Sequence, residues 1–258
     1  MDNKLYKLMD WPAIEEIVYS ESSHPKRILG GHRTKDGFLV QVFRPDAVQV
    51  SISVSERKKK IQMEKVDDAG FFATLIPLRK NVLNIEDKNG IVNVCSDPYS
   101  FDDYDEYDTF FNRFMDGTQD KAYQIFGGHE CSKDGIAGTL FRTWAPYALR
   151  VSVVGDFNNW DGRIHQMERI TEHGVYELFI PGLKAGTEYM YEVKFHSRET
   201  VLKADPYAME ATRYADAHSV VTTVSSKASQ NGKTKRTTPG VNNAGATALS
   251  ILEVRLKD

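Results

Sequence analysis

The sequence predicts a mainly β fold: two tandem immunoglobulin-like sandwiches, each preceded by a short helical segment, and then a flexible tail. Three observations predict it. Four sequence blocks occur twice in the same order. Short runs alternate apolar and polar residues with the period of a half-buried strand. Gly, Pro and Asn punctuate those runs at the spacing of an all-β domain.

The duplication sets the organisation. Arg27-Ile-Leu-Gly-Gly-His-Arg-Thr-Lys-Asp-Gly37 returns as Gln124-Ile-Phe-Gly-Gly-His-Glu-Cys-Ser-Lys-Asp-Gly135, one residue longer. Val42-Phe-Arg-Pro-Asp-Ala47 returns as Thr143-Trp-Ala-Pro-Tyr-Ala148, and Gly70-Phe-Phe-Ala-Thr-Leu-Ile-Pro77 as Gly174-Val-Tyr-Glu-Leu-Phe-Ile-Pro181. Ser96-Asp-Pro-Tyr99 returns as Ala204-Asp-Pro-Tyr207. Two copies make a pair of domains of about a hundred residues each.

The elements follow in order. Residues 1–22 form an N-terminal helical segment, with Pro12 near its start and Glu15 and Glu16 in its first turns. The first sandwich spans 23–105, with strand-like runs at 38–43, 48–54, 71–76 and 91–95. Residues 106–130 are a helical connector whose Phe110, Phe111, Phe114 and Met115 fall at helical spacing and are expected to pack between the domains. The second sandwich spans 131–224. In Thr187–Phe195 the residues Tyr189, Tyr191, Val193 and Phe195 share one face, and Trp144 in mid-strand is expected in the core. Residues 225–247 have linker composition, and 248–258 return to an apolar strand-like pattern.

Composition narrows the function classes. Against 33 Lys and Arg stand 36 Asp and Glu, a net charge of −3, which gives no electrostatic case for nucleic acid or an anionic membrane. Two cysteines in 258 residues do not make a disulfide framework, and a cytoplasmic location is expected. No cofactor motif is found: the Gly-Gly pairs lack the strand–helix setting of a phosphate loop. His32 and His129 recur at one place, yet no further ligand-type residue stands at metal-binding spacing, so turn hydrogen bonding is the expected role.

The candidate site is the turn Asn158-Asn-Trp-Asp-Gly162. An indole held out on a turn can cover the apolar face of a pyranose while neighbouring amides reach its hydroxyls. Trp160, Asn158, Asn159 and Asp161 are the candidate carbohydrate contacts, with Lys203 as a further hydrogen-bond donor. No residues are assigned to catalysis.

The stretches Trp144-Ala-Pro146, Arg150–Gly162, Gly174–Leu183, Tyr189–Glu192 and Lys203–Ala208 resemble the N-terminal region of 1,4-α-glucan (glycogen) branching enzymes, especially their glycogen-binding-type sandwich. Leu29–His32 and Phe43–Asp46 are similar to the extra N-terminal sandwich of the long bacterial members. Ser250–Val254 resembles the first strand of the family's catalytic barrel, so the chain reads as truncated before that barrel. The resemblance implies an α-glucan-associated module in glycogen biosynthesis. In the full-length family an α-1,4-glucan segment is transferred to form an α-1,6 branch, and the barrel supplies the carboxylates that retaining chemistry needs. A partner in the form of a separate catalytic barrel chain, and an interaction sandwich without a sugar role, are the alternatives. Kinase-type modules of this kind carry a Lys and a second Trp where this chain has Glu192 and Leu202.

Overall fold

The computed structural model describes residues 3–54, 59–77, 82–101, 108–213 and 217–223. Residues 1–224 form one compact unit that holds both sandwiches. The linker and the apolar run after Val224 lie outside the described residues. No helix among the described residues is long and apolar enough to cross a membrane.

Two helices open the chain, α1 (Asn3–Tyr6) and α2 (Trp11–Val18). The Asp10 carboxylate caps α2 by accepting from the Ala13 N–H, and Pro12 occupies its first turn, where no N–H is needed. Eight strands follow: β1 (Gly30–Thr34), β2 (Gly37–Phe43), β3 (Ala47–Val54), β4 (Lys59–Gln62), β5 (Glu64–Asp67), β6 (Phe71–Ile76), β7 (Val82–Asp87) and β8 (Val92–Ser96). They form two antiparallel sheets, ordered β1-β2-β6-β5 and β4-β3-β7-β8. Val40, Val42 and Phe72 of one sheet meet Val50, Ile52, Leu83 and Ile85 of the other. The opposite face of the first sheet presents Leu39, Phe43, Phe71 and Ala73 to Ile14 and Ile17 of α2. The first module is therefore three-layered, helix on sheet on sheet. Each fully buried side chain of this size contributes about 1.5–3 kcal/mol.

Helix α3 (Asp108–Met115) leads into the second module, which contains β9 (Gly127–Lys133), β10 (Ile136–Trp144), β11 (Ala148–Val154), β12 (Glu168–Arg169), β13 (Val175–Pro181), β14 (Glu188–Phe195), β15 (Thr200–Lys203), β16 (Glu210–Ala211) and β17 (Ser219–Val220). The sheets run β12-β13-β10-β9 and β11-β14-β17-β16, with β15 also paired to β14. Phe141, Tyr176, Leu178, Val151, Val153, Tyr189 and Tyr191 fill the space between them. A polar knot is sealed inside. The Asp205 carboxylate accepts from the Tyr189 and Tyr191 hydroxyls at 2.6 and 3.1 Å, and from the Tyr207 N–H through its other oxygen at 2.8 Å.

The duplication extends to individual hydrogen bonds. Arg44 N–H donates to Gly70 O and Ala145 N–H to Gly174 O, both at 2.8 Å. Both strands that follow shift register at the same place, between Ala47 and Gln49 and between Ala148 and Arg150. His32 Nε2 lies 3.0 Å from Leu29 O, and His129 Nε2 2.9 Å from Phe126 O, so both histidines serve the turn that starts each copy. Asp97 and Asp205 each accept from the N–H two residues on, fixing the two Asp-Pro-Tyr turns.

Two expectations are corrected. Phe110, Phe111 and Phe114 do not pack between the modules; they gather with Phe126, Val175 and Tyr207, all within the second. Trp144 is not in the core. It ends β10 on the outward parity of Leu140 and Arg142, is 40 % exposed, and donates from Nε1 to His173 O.

Candidate carbohydrate-binding surface

Between β11 and β12 the chain makes a turn over residues 155–165 that carries four of the five candidate residues. Its shape is set from inside. Asn158, only 2 % exposed, accepts from the Gly155 N–H at 3.0 Å and donates to Val153 O and His165 Nδ1, each at 2.9 Å. The Asn158 amide is used up in holding the turn, so the expected sugar contact from this residue is not available. His165 is buried with it, and burial followed by the nearby Arg44 charge drives its imidazole down to about 3.

Asn159 and Trp160 both adopt the left-handed conformation, with φ of 53° and 59°. That conformation is uncommon outside glycine and costs roughly 1–2 kcal/mol for a bulky residue. The indole Nε1 donates to Asp156 Oδ1 at 2.8 Å, and the ring meets His218 with centroids 4.7 Å apart. His218 Nδ1 lies 2.9 Å from Glu188 Oε2 at the start of β14. Trp160 is half-buried and rigidly aimed. The exposed Asn159 amide makes no hydrogen bond to the described residues, which leaves both of its polar ends for a ligand.

Asp161 is committed elsewhere. Its carboxylate pairs with the Arg163 guanidinium at 2.6 Å and accepts the Arg163 N–H at 2.9 Å. Partial burial pushes this carboxyl up, but the Arg163 contacts outweigh it and hold the group below its ordinary range.

Glu192, in place of a lysine, also has a structural task. It accepts from Arg150 Nη2 at 2.6 Å, while Arg150 Nη1 donates to Ser152 Oγ and Gly162 O at 2.6 and 3.2 Å. The pair ties the far end of the turn to the sheet. Gly162 packs so closely on the Glu192 carboxylate that no Cβ fits there. Leu202 pairs across from Glu192 and is 50 % exposed.

The structure does not bring Lys203 to this turn. Lys203 pairs with inward-facing Tyr191 and lines a separate groove of about 370 Å³ with Trp144, Tyr147, Phe195 and Pro206. Sequence reasoning missed His218 and Asp156. Asp156 stands four residues before the Trp in the same turn, a local signal that was readable. His218 is brought in by strand pairing from 58 residues away and left no local signal.

Comparison with known proteins now fixes the setting. Residues 10–99 match the family model described as alpha-1,4-glucan branching enzyme GlgB, N-terminal domain, and residues 125–208 match carbohydrate-binding module 48, the isoamylase N-terminal domain. The chain carries the N-terminal modules of a 1,4-α-glucan branching enzyme. The two matches fall one on each sandwich, in the order that the duplication sets. Among solved structures, this branching-enzyme region is similar to a pullulanase from Anoxybacillus sp. LM18-11 complexed with maltotetraose, at 13 % identity over 75 % of this chain and 26 % of that one, TM-score 0.31. It is also similar to apo pullulanase from Klebsiella pneumoniae, at 18 % identity over 70 % and 23 %, TM-score 0.32. The branching-enzyme region thus spans about a quarter of those chains, and overlaps this loose carry no argument. The two module matches do.

Proposed function

We propose that this chain is a non-catalytic α-glucan-associating module which positions glycogen or amylopectin for a branching reaction in glycogen biosynthesis. In the complete enzyme that reaction cuts an α-1,4 link and re-forms it as an α-1,6 branch. The observation that carries the reading is the rigidly aimed indole: Trp160 is strained into a left-handed turn, tethered by Asp156 and backed by His218. Strain of this kind gathers at binding sites, where the surrounding structure holds it in place. A glucose ring stacks on the free indole face, Asn159 reaches its hydroxyls, and the His218–Glu188 pair lines the rim.

Asn158 and Asp161 support the turn, and Lys203 stands outside the surface. A cytoplasmic location accords with the low cysteine content.

Affinity electrophoresis through glycogen-containing gels tests the reading. The wild-type chain is expected to be retarded, Trp160→Ala to run freely, and Asn159→Ala to fall between them. Equal mobility of wild type and Trp160→Ala would overturn it. The unfolding free energies of both variants are expected within about 1 kcal/mol of wild type, because neither side chain belongs to the core.

A further inference from the structure

We infer that Tyr19, carried by the N-terminal segment, is a second stacking platform of the glucan surface. A linear α-1,4-glucan lies along the outer side of β14, from Trp160 at one end to Tyr19 at the other. The inference rests on the Trp160 reading and gives that site its substrate class, a run of several glucose units.

The outer side of β14 is a continuous strip. Tyr189, Tyr191 and Val193 point inward, so Glu188, Met190, Glu192 and Lys194 face out. The strip begins beside Trp160, whose ring meets His218, and His218 Nδ1 lies 2.9 Å from Glu188 Oε2. It ends beside Tyr19, whose carbonyl accepts from Lys194 Nζ at 2.9 Å. The strand from Glu188 to Lys194 covers about 20 Å. One pyranose cannot touch both ends, whereas a short glucan can.

The path between them is open along β15. The turn over residues 155–165 reaches the strip from β11 and meets Glu192 at Gly162. On the other side Leu202 pairs with Glu192 and Thr200 with Lys194, and both Leu202 and Thr200 are exposed. Leu202 offers an apolar floor to the apolar face of a sugar ring.

Tyr19 is 67 % exposed, yet its backbone is fixed. The segment that carries it is stitched to the second sandwich on both sides. Gln166 Nε2 donates to Ile17 O at 3.1 Å, and Arg169 N–H to Ser23 O at 2.8 Å. Lys194 Nζ also reaches Glu21 Oε1 at 3.3 Å. Ser20, directly after Tyr19, is buried in the left-handed conformation with φ of 54°. The exposed Arg198 guanidinium stands beside Glu21, with Nε 3.9 Å from Oε1. An exposed aromatic ring on a fixed backbone, flanked by such donors and acceptors, matches the two sides of a pyranose.

Charge argues for a sugar over a protein partner as the occupant. Glu188, Glu192, Lys194, Glu21 and Arg198 are spread along the whole strip, while charged residues are depleted at the centre of protein interfaces. The first module thereby adds a contact to the sugar surface of the second.

Calorimetric titration of the full chain with maltotriose and with maltoheptaose, linear α-1,4-glucans of three and seven glucose units, tests the inference. Tyr19→Ala is expected to weaken maltoheptaose about fivefold, the size of one stacking contact, and to leave maltotriose unchanged. Tyr19→Phe is expected to bind both like wild type, and Trp160→Ala to weaken both. The unfolding curve of Tyr19→Ala is expected to match that of wild type, because the ring is exposed. A Tyr19→Ala chain that binds maltoheptaose as tightly as wild type overturns the inference and leaves the Trp160 surface standing. So does an equal loss toward both sugars, which would make Tyr19 a support of the Trp160 turn. A wild-type chain that binds neither sugar overturns the Trp160 reading and this inference with it.

Discussion

Glu192 stands where kinase-type glycogen modules carry a lysine, so Glu192→Lys is the substitution that sugar recognition alone would recommend. The structure predicts the opposite outcome. Arg150 is buried, and its one charged partner among the described residues is the Glu192 carboxylate at 2.6 Å; its other partners, Ser152 Oγ and Gly162 O, are neutral. Removing one member of a buried pair costs about 3–5 kcal/mol, since the remaining charge is left in a poor solvent. Glu192 is partly exposed, so the lower end of that range is expected, to which a new ammonium beside the guanidinium adds repulsion. With a urea dependence near 2–3 kcal/mol per molar for a unit of this size, the unfolding midpoint should fall by about 1–2 M. The turn bearing Trp160 loosens with it, so glycogen retardation falls as well. Arg150→Met combined with Glu192→Leu exchanges the pair for apolar groups and should recover most of the lost stability. A Glu192→Lys chain with an unchanged midpoint and stronger retardation would refute the assignment of Glu192 to the turn.

The junction of the two modules makes an opposed pair of titrations. Burial drives the Asp97 carboxyl up to about 6 against the pull of the Tyr99 N–H, so its contribution is present below about pH 4 and lost as pH rises through 6. His165 has the reverse sign: its contribution is present above about pH 6.5 and lost as pH falls toward 3. Asp97→Asn should therefore be more stable than wild type at pH 7, by at most about 3 kcal/mol, and should lose stability more steeply from pH 7 to 4; parallel denaturation curves across that range would count against it. Gly70 and Gly174 have φ of +103° and +86° and lie against the backbone of Pro45 and Pro146, so alanine at either should cost about 2 kcal/mol or more in chemical denaturation.

Much of the fold was legible because it was written twice. Blocks with matching Gly-Gly-His, Pro and Asp-Pro-Tyr signals located β2, β3, β6 and their counterparts, and the alternation of Tyr189, Tyr191 and Val193 gave the inward face of β14. β1 and β9 escaped because each opens on Gly-Gly, which reads as a turn, while Gly30 and Gly127 here begin strands from left-handed backbone. β7 escaped because only Leu83 and Ile85 point inward in a run otherwise polar or exposed. Trp144 was read as core because periodicity identifies a face but does not say which face is covered, or where a strand leaves the sandwich. Within the candidate site, Trp160 stood out by type and turn. Asn158 did not declare itself structural, since an inward amide and an outward one have the same letters on either side.

The two sandwiches repeat one backbone bond, Arg44 N–H to Gly70 O and Ala145 N–H to Gly174 O, beneath tip side chains that differ: Arg44 and Asp46 against Ala145 and Tyr147. The strand ends are thereby held by main-chain groups, independently of the side chains at the tip. A gene that copies such a unit inherits a working scaffold at once, with its tip positions free to change.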